Sequence, residues 1–159
     1  MQSDKPMMKT VRASGDWTAP TRFDAKAGNF AGFVMDQPEA AGGTGKGPNP
    51  MELLLASLIG CESVTMAQVA REMDFKYSGF HCEVEGDMDL RGFMGAPGVC
   101  RYYCGLRGTV TVETDESQER LEMIRDQVDS RCPIYTLLDD AGVPMEITWH
   151  KAGELPTPA

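Results

Sequence analysis

Three features of this sequence predict an α+β fold. A strongly apolar segment with a complete helix-start signal occupies residues 49–74, strand-like segments flank it on both sides, and an amphipathic helical stretch lies between the last two strand-like segments. The chain has 159 residues, 42% of them hydrophobic, which is enough for one core and short for two, so a single domain over residues 1–159 is expected. Its net charge of −9 argues against a nucleic-acid partner and against an anionic membrane surface, because both need clustered Lys and Arg.

The N-terminal stretch MQSDKPMMKTVR has no apolar run of the roughly 7–15 residues that a secretory signal needs. The longest apolar run, Leu53 to Gly60, is short for a bilayer span, and a cytoplasmic protein is expected. Five cysteines, an odd number, then read as reduced thiols rather than a disulfide framework.

Residues 1–48 are rich in Gly, Pro and Ala, with β-like pieces around Met8–Ala13, Thr21–Lys26 and Phe30–Met35, and predict a small N-terminal sheet. The loop PEAAGGTGKGPNP leads into the helix over 49–74. Asn49 suits the N-cap, Pro50 the first helical position, and Glu52, three residues after Asn49, can close a capping box. The first half of this helix carries Met51, Leu53, Leu54, Leu55, Leu58 and Ile59 around nearly its whole circumference. One small subunit can hardly cover such a surface, so a partner chain and a homodimer are expected.

A β-hairpin over 77–114 follows, built from GFHCEVEGDMDL and VCRYYCGLRGTVTVET around the turn RGFMGAPG. Alternation places Phe80, Cys82 and Val84 on one face of the first strand, and Cys100, Tyr102, Cys104, Leu106, Val110 and Val112 together on the second. Helices are expected over 115–141. The first runs from about Glu116 to Arg131, with Asp115 as N-cap and Gln118 three residues on, and Leu121, Ile124 and Val128 form a core stripe that brings Cys132 to the same side. A short helix starts at Pro133, a final strand covers 143–152, and 153–159 is a tail.

The cysteines differ in context. Cys100 and Cys104, four residues apart on a strand, would have Cα atoms roughly 13 Å apart, beyond the limit of about 7 Å for a disulfide. Cys82, Cys100 and Cys104 therefore read as core residues. Cys132 precedes Pro133 and is expected to cap a helix, where free N–H groups and the helix dipole lower a thiol pKa. Cys61 lies about 17 Å along its helix, beyond that influence. It needs a cation from elsewhere to be a nucleophile, or else it is a high-pKa core thiol, and spacing alone leaves both open.

The run GGTGKGPNPMELLLASLIGC at 42–61, followed 71 residues later by Cys132 in SRCP, resembles the OsmC/Ohr family of thiol-dependent hydroperoxide reductases. The order of elements is similar over most of the chain. The resemblance implies an intertwined homodimer with long central helices packed against antiparallel β-sheets. It implies that Cys61 is the peroxidatic thiol, attacking the O–O bond to give a sulfenic acid, and that Cys132 is the resolving thiol. A small hydrophobic hydroperoxide is the implied substrate and an external dithiol or lipoyl-type reductant the implied second partner. In the hydroperoxide-specific branch an arginine from the N-terminal sheet holds the thiolate and a glutamate at the helix start orients it. Arg22 is the best candidate for that arginine, with Arg12 second. The glutamate position falls on Met51, which cannot pair with arginine, whereas the adjacent Glu52 is rotated about 100° around the helix and is also explained as a cap.

Glu62, beside Cys61, is expected either to carry protons or, as the favoured reading, to reach solvent or a partner's cation. His81 and His150 show no Cys-His pairing signal, and no metal or cofactor motif is present. Two functions follow: a two-cysteine peroxidase acting on organic hydroperoxides, and alternatively an OsmC-like small-molecule-binding or redox-sensing stress protein without efficient peroxidase activity.

Overall fold

A computed structural model describes residues 6–153, so all of the expected tail except Gly153 lies outside the described residues. The chain forms two compact units, Met1–Leu53 and Leu54–Ala159.

The first unit holds a three-stranded antiparallel sheet in the order β1-β2-β3, with β1 at Ala13–Ala19, β2 at Arg22–Ala27 and β3 at Phe33–Met35. The first strand begins where the sequence placed its end. The tight turn between Ala19 and Arg22 pairs 13–19 with 22–27, leaving 8–12 without a strand partner. After β3 a 3-10 turn at Glu39–Ala41 opens the glycine-rich loop. Gly43 and Gly47 are required there, because a Cβ would lie 1.9 Å from the Gln37 carbonyl oxygen and 2.2 Å from that of Val34.

Helix α1 spans Pro50–Glu72, 23 residues. Its start is the expected capping box: the Asn49 side chain accepts from the N–H groups of Met51 (2.9 Å) and Glu52 (3.0 Å), and the Asn49 N–H donates to Glu52 Oε2 at 2.7 Å. By length and composition α1 could cross a bilayer, contrary to the short-run argument from sequence. Its residues Leu58, Glu62, Met66, Val69 and Ala70 are buried.

The second unit is built on a sheet in the order β4-β5-β6, with β4 at Gly79–Met88, β5 at Tyr103–Glu113 and β6 at Met145–Lys151. β4 and β5 are antiparallel, whereas β5 and β6 are parallel, so this sheet is mixed and not the antiparallel one expected. The cause is the crossover: α3 (Gln118–Arg131) and α4 (Pro133–Asp140) return the chain to the end at which β5 begins. The β4–β5 connection holds a four-residue helix, α2 (Leu90–Phe93), where a plain turn was expected. Asp89 caps it, its side chain accepting from the Arg91 N–H at 3.0 Å.

Two local expectations change. The N-cap of α3 is Ser117, accepting from the Arg120 N–H at 3.2 Å, rather than Asp115. Glu116 instead pairs with Arg120 at 3.1 Å, which pulls the helix start inward by two residues. In β5 the register slips between Asp87 and Met88, whose partners are Gly105 and Tyr103. The slip turns Tyr103 inward and leaves Cys104 exposed, and Cys100 precedes the strand altogether.

The core joins Met66, Val69 and Ala70 of α1 to Val110 and Val112 of β5, Leu121, Ile124 and Val128 of α3, and Phe75 and Trp149. Phe80 meets Trp149 edge to face at 5.7 Å. Ile124→Ala is expected to cost about 2–5 kcal/mol in denaturant unfolding. Met123→Ala on the exposed face of the same helix should cost about 0.5 kcal/mol or less, and equal losses would contradict this core.

Candidate redox site

Cys61 lies in the middle of α1, half-buried, and its carbonyl accepts from Thr65 Oγ1 at 2.9 Å. Cys132 closes α3 and opens α4: its N–H donates to the Val128 carbonyl at 2.8 Å, and its own carbonyl accepts from Thr136 Oγ1 at 3.0 Å. Each cysteine thus has a threonine four residues on that bonds back to its carbonyl. Both thiols are free, and Cys61 is a near neighbour of the Cys132 thiol.

Their environments are unequal. Cys132 is 0% exposed. Burial pushes its thiol pKa up to about 11, against the pull of the Tyr135 and Ile134 amides at the start of α4, and the neighbouring Cys61 raises it further. The helix N-terminus acts in the expected direction, but loss of water outweighs it. Cys132 is therefore a neutral thiol at pH 7, not the activated one its capping position predicted.

Helix α3 is held to the C-terminal end of α1 by arginines at its two ends. Arg131 forks onto Glu72, with Nη1–Oε2 at 2.5 Å and Nη2–Oε1 at 3.1 Å, and the Glu72 carboxyl is lowered to about 2, chiefly by that hydrogen bonding. Arg120 donates to the Met73 and Asp74 carbonyls at 3.0 and 3.2 Å, satisfying the C-terminal end of α1.

Behind the thiols lies an acid cluster that sequence reasoning missed. Glu62 is 0% exposed and does not reach solvent, which overturns the solvent half of the favoured expectation. Its Oε2 accepts from Cys82 Sγ at 3.7 Å, while its Oε1 is buried without a partner, as is Oδ1 of Asp129. Burial first, then the charge of Asp129, raises Glu62 to about 7, and burial raises Asp129 to about 6. Cys82 is pushed up to about 12 by burial and by Glu62. One signal was available: Asp129 stands three residues before Cys132 and so shares its helix face.

In the first unit, Arg22 is engaged by its strand neighbour Asp24, with Nη2 and Nε at 2.7 and 3.1 Å from Oδ1. Arg12 is exposed, Glu52 closes the capping box, and Met51 is half-buried. Asp36 was also missed. It is buried and accepts from Thr21 Oγ1 (2.7 Å), Thr44 Oγ1, and the N–H groups of Gln37 (2.8 Å), Thr44 (3.0 Å) and Lys46 (3.3 Å). These bonds, that of Thr44 foremost, hold its carboxyl far below the usual range. Its own N–H reaches the Pro48 carbonyl at 3.1 Å, so Asp36 ties the glycine loop to the segment that starts α1.

A paired dithiol between a long helix and a helix junction, over a small mixed sheet, defines a thiol-bearing α+β protein. The profile of the OsmC-like protein family matches residues 43–148, and the chain belongs to that family. No curated protein matches it in sequence. Among solved structures, an OsmC-like protein from Mycoplasma pneumoniae is similar at 18% identity and TM-score 0.79, over 91% of this chain and 99% of that one. The organic hydroperoxide resistance protein OsmC of Legionella pneumophila is similar at 15% identity and TM-score 0.67, over 91% and 98%. OhrB of Bacillus subtilis, an organic hydroperoxide resistance protein, is similar at 17% and 0.62, over 89% and 98%.

The raised Glu62 pKa sets a sign for stability. Between about pH 4.5 and 7 the unfolded chain has lost this proton and the folded one keeps it, so stability falls as pH rises, by about 3 kcal/mol in all. Asp129 acts in the same direction. Glu62→Gln should flatten that slope in urea unfolding at pH 5 and 8, and an unchanged slope would contradict the buried acid.

Proposed function

We propose that this protein is a two-cysteine peroxidase that reduces organic hydroperoxides to alcohols. The observation that carries the reading is a half-buried Cys61 near enough to a fully buried Cys132 to raise its thiol pKa. Only Cys61 is accessible to a peroxide, so it takes the attacking role. Its thiolate attacks one peroxide oxygen and the O–O bond breaks. With one proton taken up by the leaving alkoxide, the products are the Cys61 sulfenic acid and the alcohol. The Cys132 sulfur then displaces the sulfenic hydroxyl, the thiol proton leaving with it as water, and a Cys61–Cys132 disulfide remains. An external dithiol, of lipoyl type by the family resemblance, accepts the oxidation and restores both thiols.

Family membership and the printed function of the Legionella and Bacillus relatives support an organic hydroperoxide as substrate. Homodimerisation is part of the proposal. Only 28% of the most apolar stretch of α1 is buried by its own chain, and Phe93, beside α2's other apolar residues, is 80% exposed. The five free cysteines suit a reducing compartment, the cytoplasm.

Met51 favours a second reading. With methionine at the position of the orienting glutamate, and Arg22 paired to Asp24, the thiolate lacks an assigned cation. The protein would then be an OsmC-like small-molecule-binding or redox-sensing stress protein.

Reduced protein treated with cumene hydroperoxide is expected to lose two thiols and gain a Cys61–Cys132 disulfide by mass spectrometry, with steady turnover when dihydrolipoamide is supplied. Cys61→Ser should abolish peroxide consumption. Cys132→Ser should stop after one equivalent, with Cys61 trapped by dimedone. Disulfide without turnover favours the sensor, and a Cys61 that stays reduced rejects the peroxidase. Light scattering should give twice the chain's 17.4 kDa mass.

A further inference from the structure

Glu62 follows Cys61 directly on α1, while Asp129 and Tyr135 stand three residues before and after Cys132, on α3 and α4. Each half of the dithiol therefore carries part of one buried acid cluster on its own backbone. The groups that face Glu62 are the Cys82 thiol from β4, with Glu83 beside it, Asp129 from α3, flanked by Arg125, and Tyr135 from α4, with Asp139 beyond. Among the described residues of this cluster Arg125 is the cation, and its ion pair at 2.7 Å goes to Asp126. Glu62 Oε1 and Asp129 Oδ1 are both shut off from water with nothing to accept from.

We propose that Glu62 and Asp129 form a buried acid pair that positions Cys132 against Cys61, holding the thiols together while the pair keeps its protons and drawing them apart as it ionises. The proposal rests on the dithiol reading above. Two neighbouring carboxylates, Glu62 fully buried and Asp129 half-buried, repel and attract water when both are charged. That strain falls between α1 and the α3–α4 junction, the two segments the disulfide must join. Proton loss from Glu62 near pH 7 and from Asp129 near pH 6 puts the transition in the neutral range. It opposes the chemistry of Cys132, whose thiolate fraction grows about tenfold per pH unit below its own pKa. Resolution should then be buffered against pH: more thiolate as pH rises, but a poorer approach.

The test separates sulfenic acid formation from its resolution. Reduced wild type, Glu62→Gln and Asp129→Asn are mixed with cumene hydroperoxide between about pH 5.5 and 8.5, quenched, and the dimedone adduct and the Cys61–Cys132 disulfide are counted by mass spectrometry. In the wild type the resolution rate should flatten above about pH 7, where both acids are ionised. In both variants it should keep climbing, matching the wild type within about twofold at the acid end and exceeding it about thirtyfold at about pH 8.5. Sulfenic acid formation should have the same pH dependence in all three. Parallel profiles, or a uniform change at every pH as from a purely structural defect, would overturn the acid pair. Absence of any disulfide in the wild type would overturn the dithiol reading itself. If Glu62→Gln does not fold, Asp129→Asn alone decides by the same criterion.

Discussion

The packing of the α3–α4 junction against α1 is the constraint from which the site follows. Arg120 and Arg131 leave opposite ends of α3 and both reach the C-terminal end of α1, one to its last carbonyls and one to Glu72. Exposed ion pairs of this kind add little to stability, so their importance is geometric. The energy comes from Leu121, Ile124 and Val128 closing on Met66, Val69 and Ala70. Continuing that stripe by one helical turn delivers Cys132 to Cys61. The same side-chain period that makes a core thus makes the dithiol.

Burial at this seam decides the acid-base character of every group in it. A helix N-terminus and two amides favour the Cys132 thiolate, and desolvation still keeps the thiol neutral. Glu62, one residue from the more accessible thiol, is driven the same way. In the proposed peroxidase the attacking thiol is the member of the pair with access to water, which is Cys61. Cys132 is the converse case: a neutral, shielded thiol is a poor target for oxidants from solvent.

Much of this was legible in the sequence, for local reasons. Asn49, Pro50 and Glu52 fix the start of α1 through bonds spanning three residues, and the spacing of Leu121, Ile124, Val128 and Cys132 needs only the helical period. What failed to read out was non-local. The slip opposite Asp87 and Met88 depends on a partner strand, and it reverses the face of Cys104. The parallel pairing of β6 depends on where two helices end. Glu62 followed the polar rule for a charged residue on a helix, and although the spacing of Asp129 to Cys132 hinted at an acid near the thiols, no sequence pattern signals that Cys82 approaches Glu62.

Asp36 and Glu62 show how two buried carboxyls come to opposite chemistry. Asp36 is surrounded by donors from Thr21, Thr44 and three backbone amides, so its charge is stabilised and organises the loop around it. Glu62 has one weak sulfur donor and another acid nearby, so its proton is retained. A carboxylate held as firmly as Asp36 makes a rigid support, which suits the segment that must launch α1 at a fixed point. A carboxyl balanced like Glu62 stores no such rigidity, because its preferred state changes within the range in which cells hold pH. Fold selection alone would replace it with glutamine or leucine at a gain in stability. A carboxyl placed at that cost next to the half-buried thiol is accounted for if the proton it carries is used.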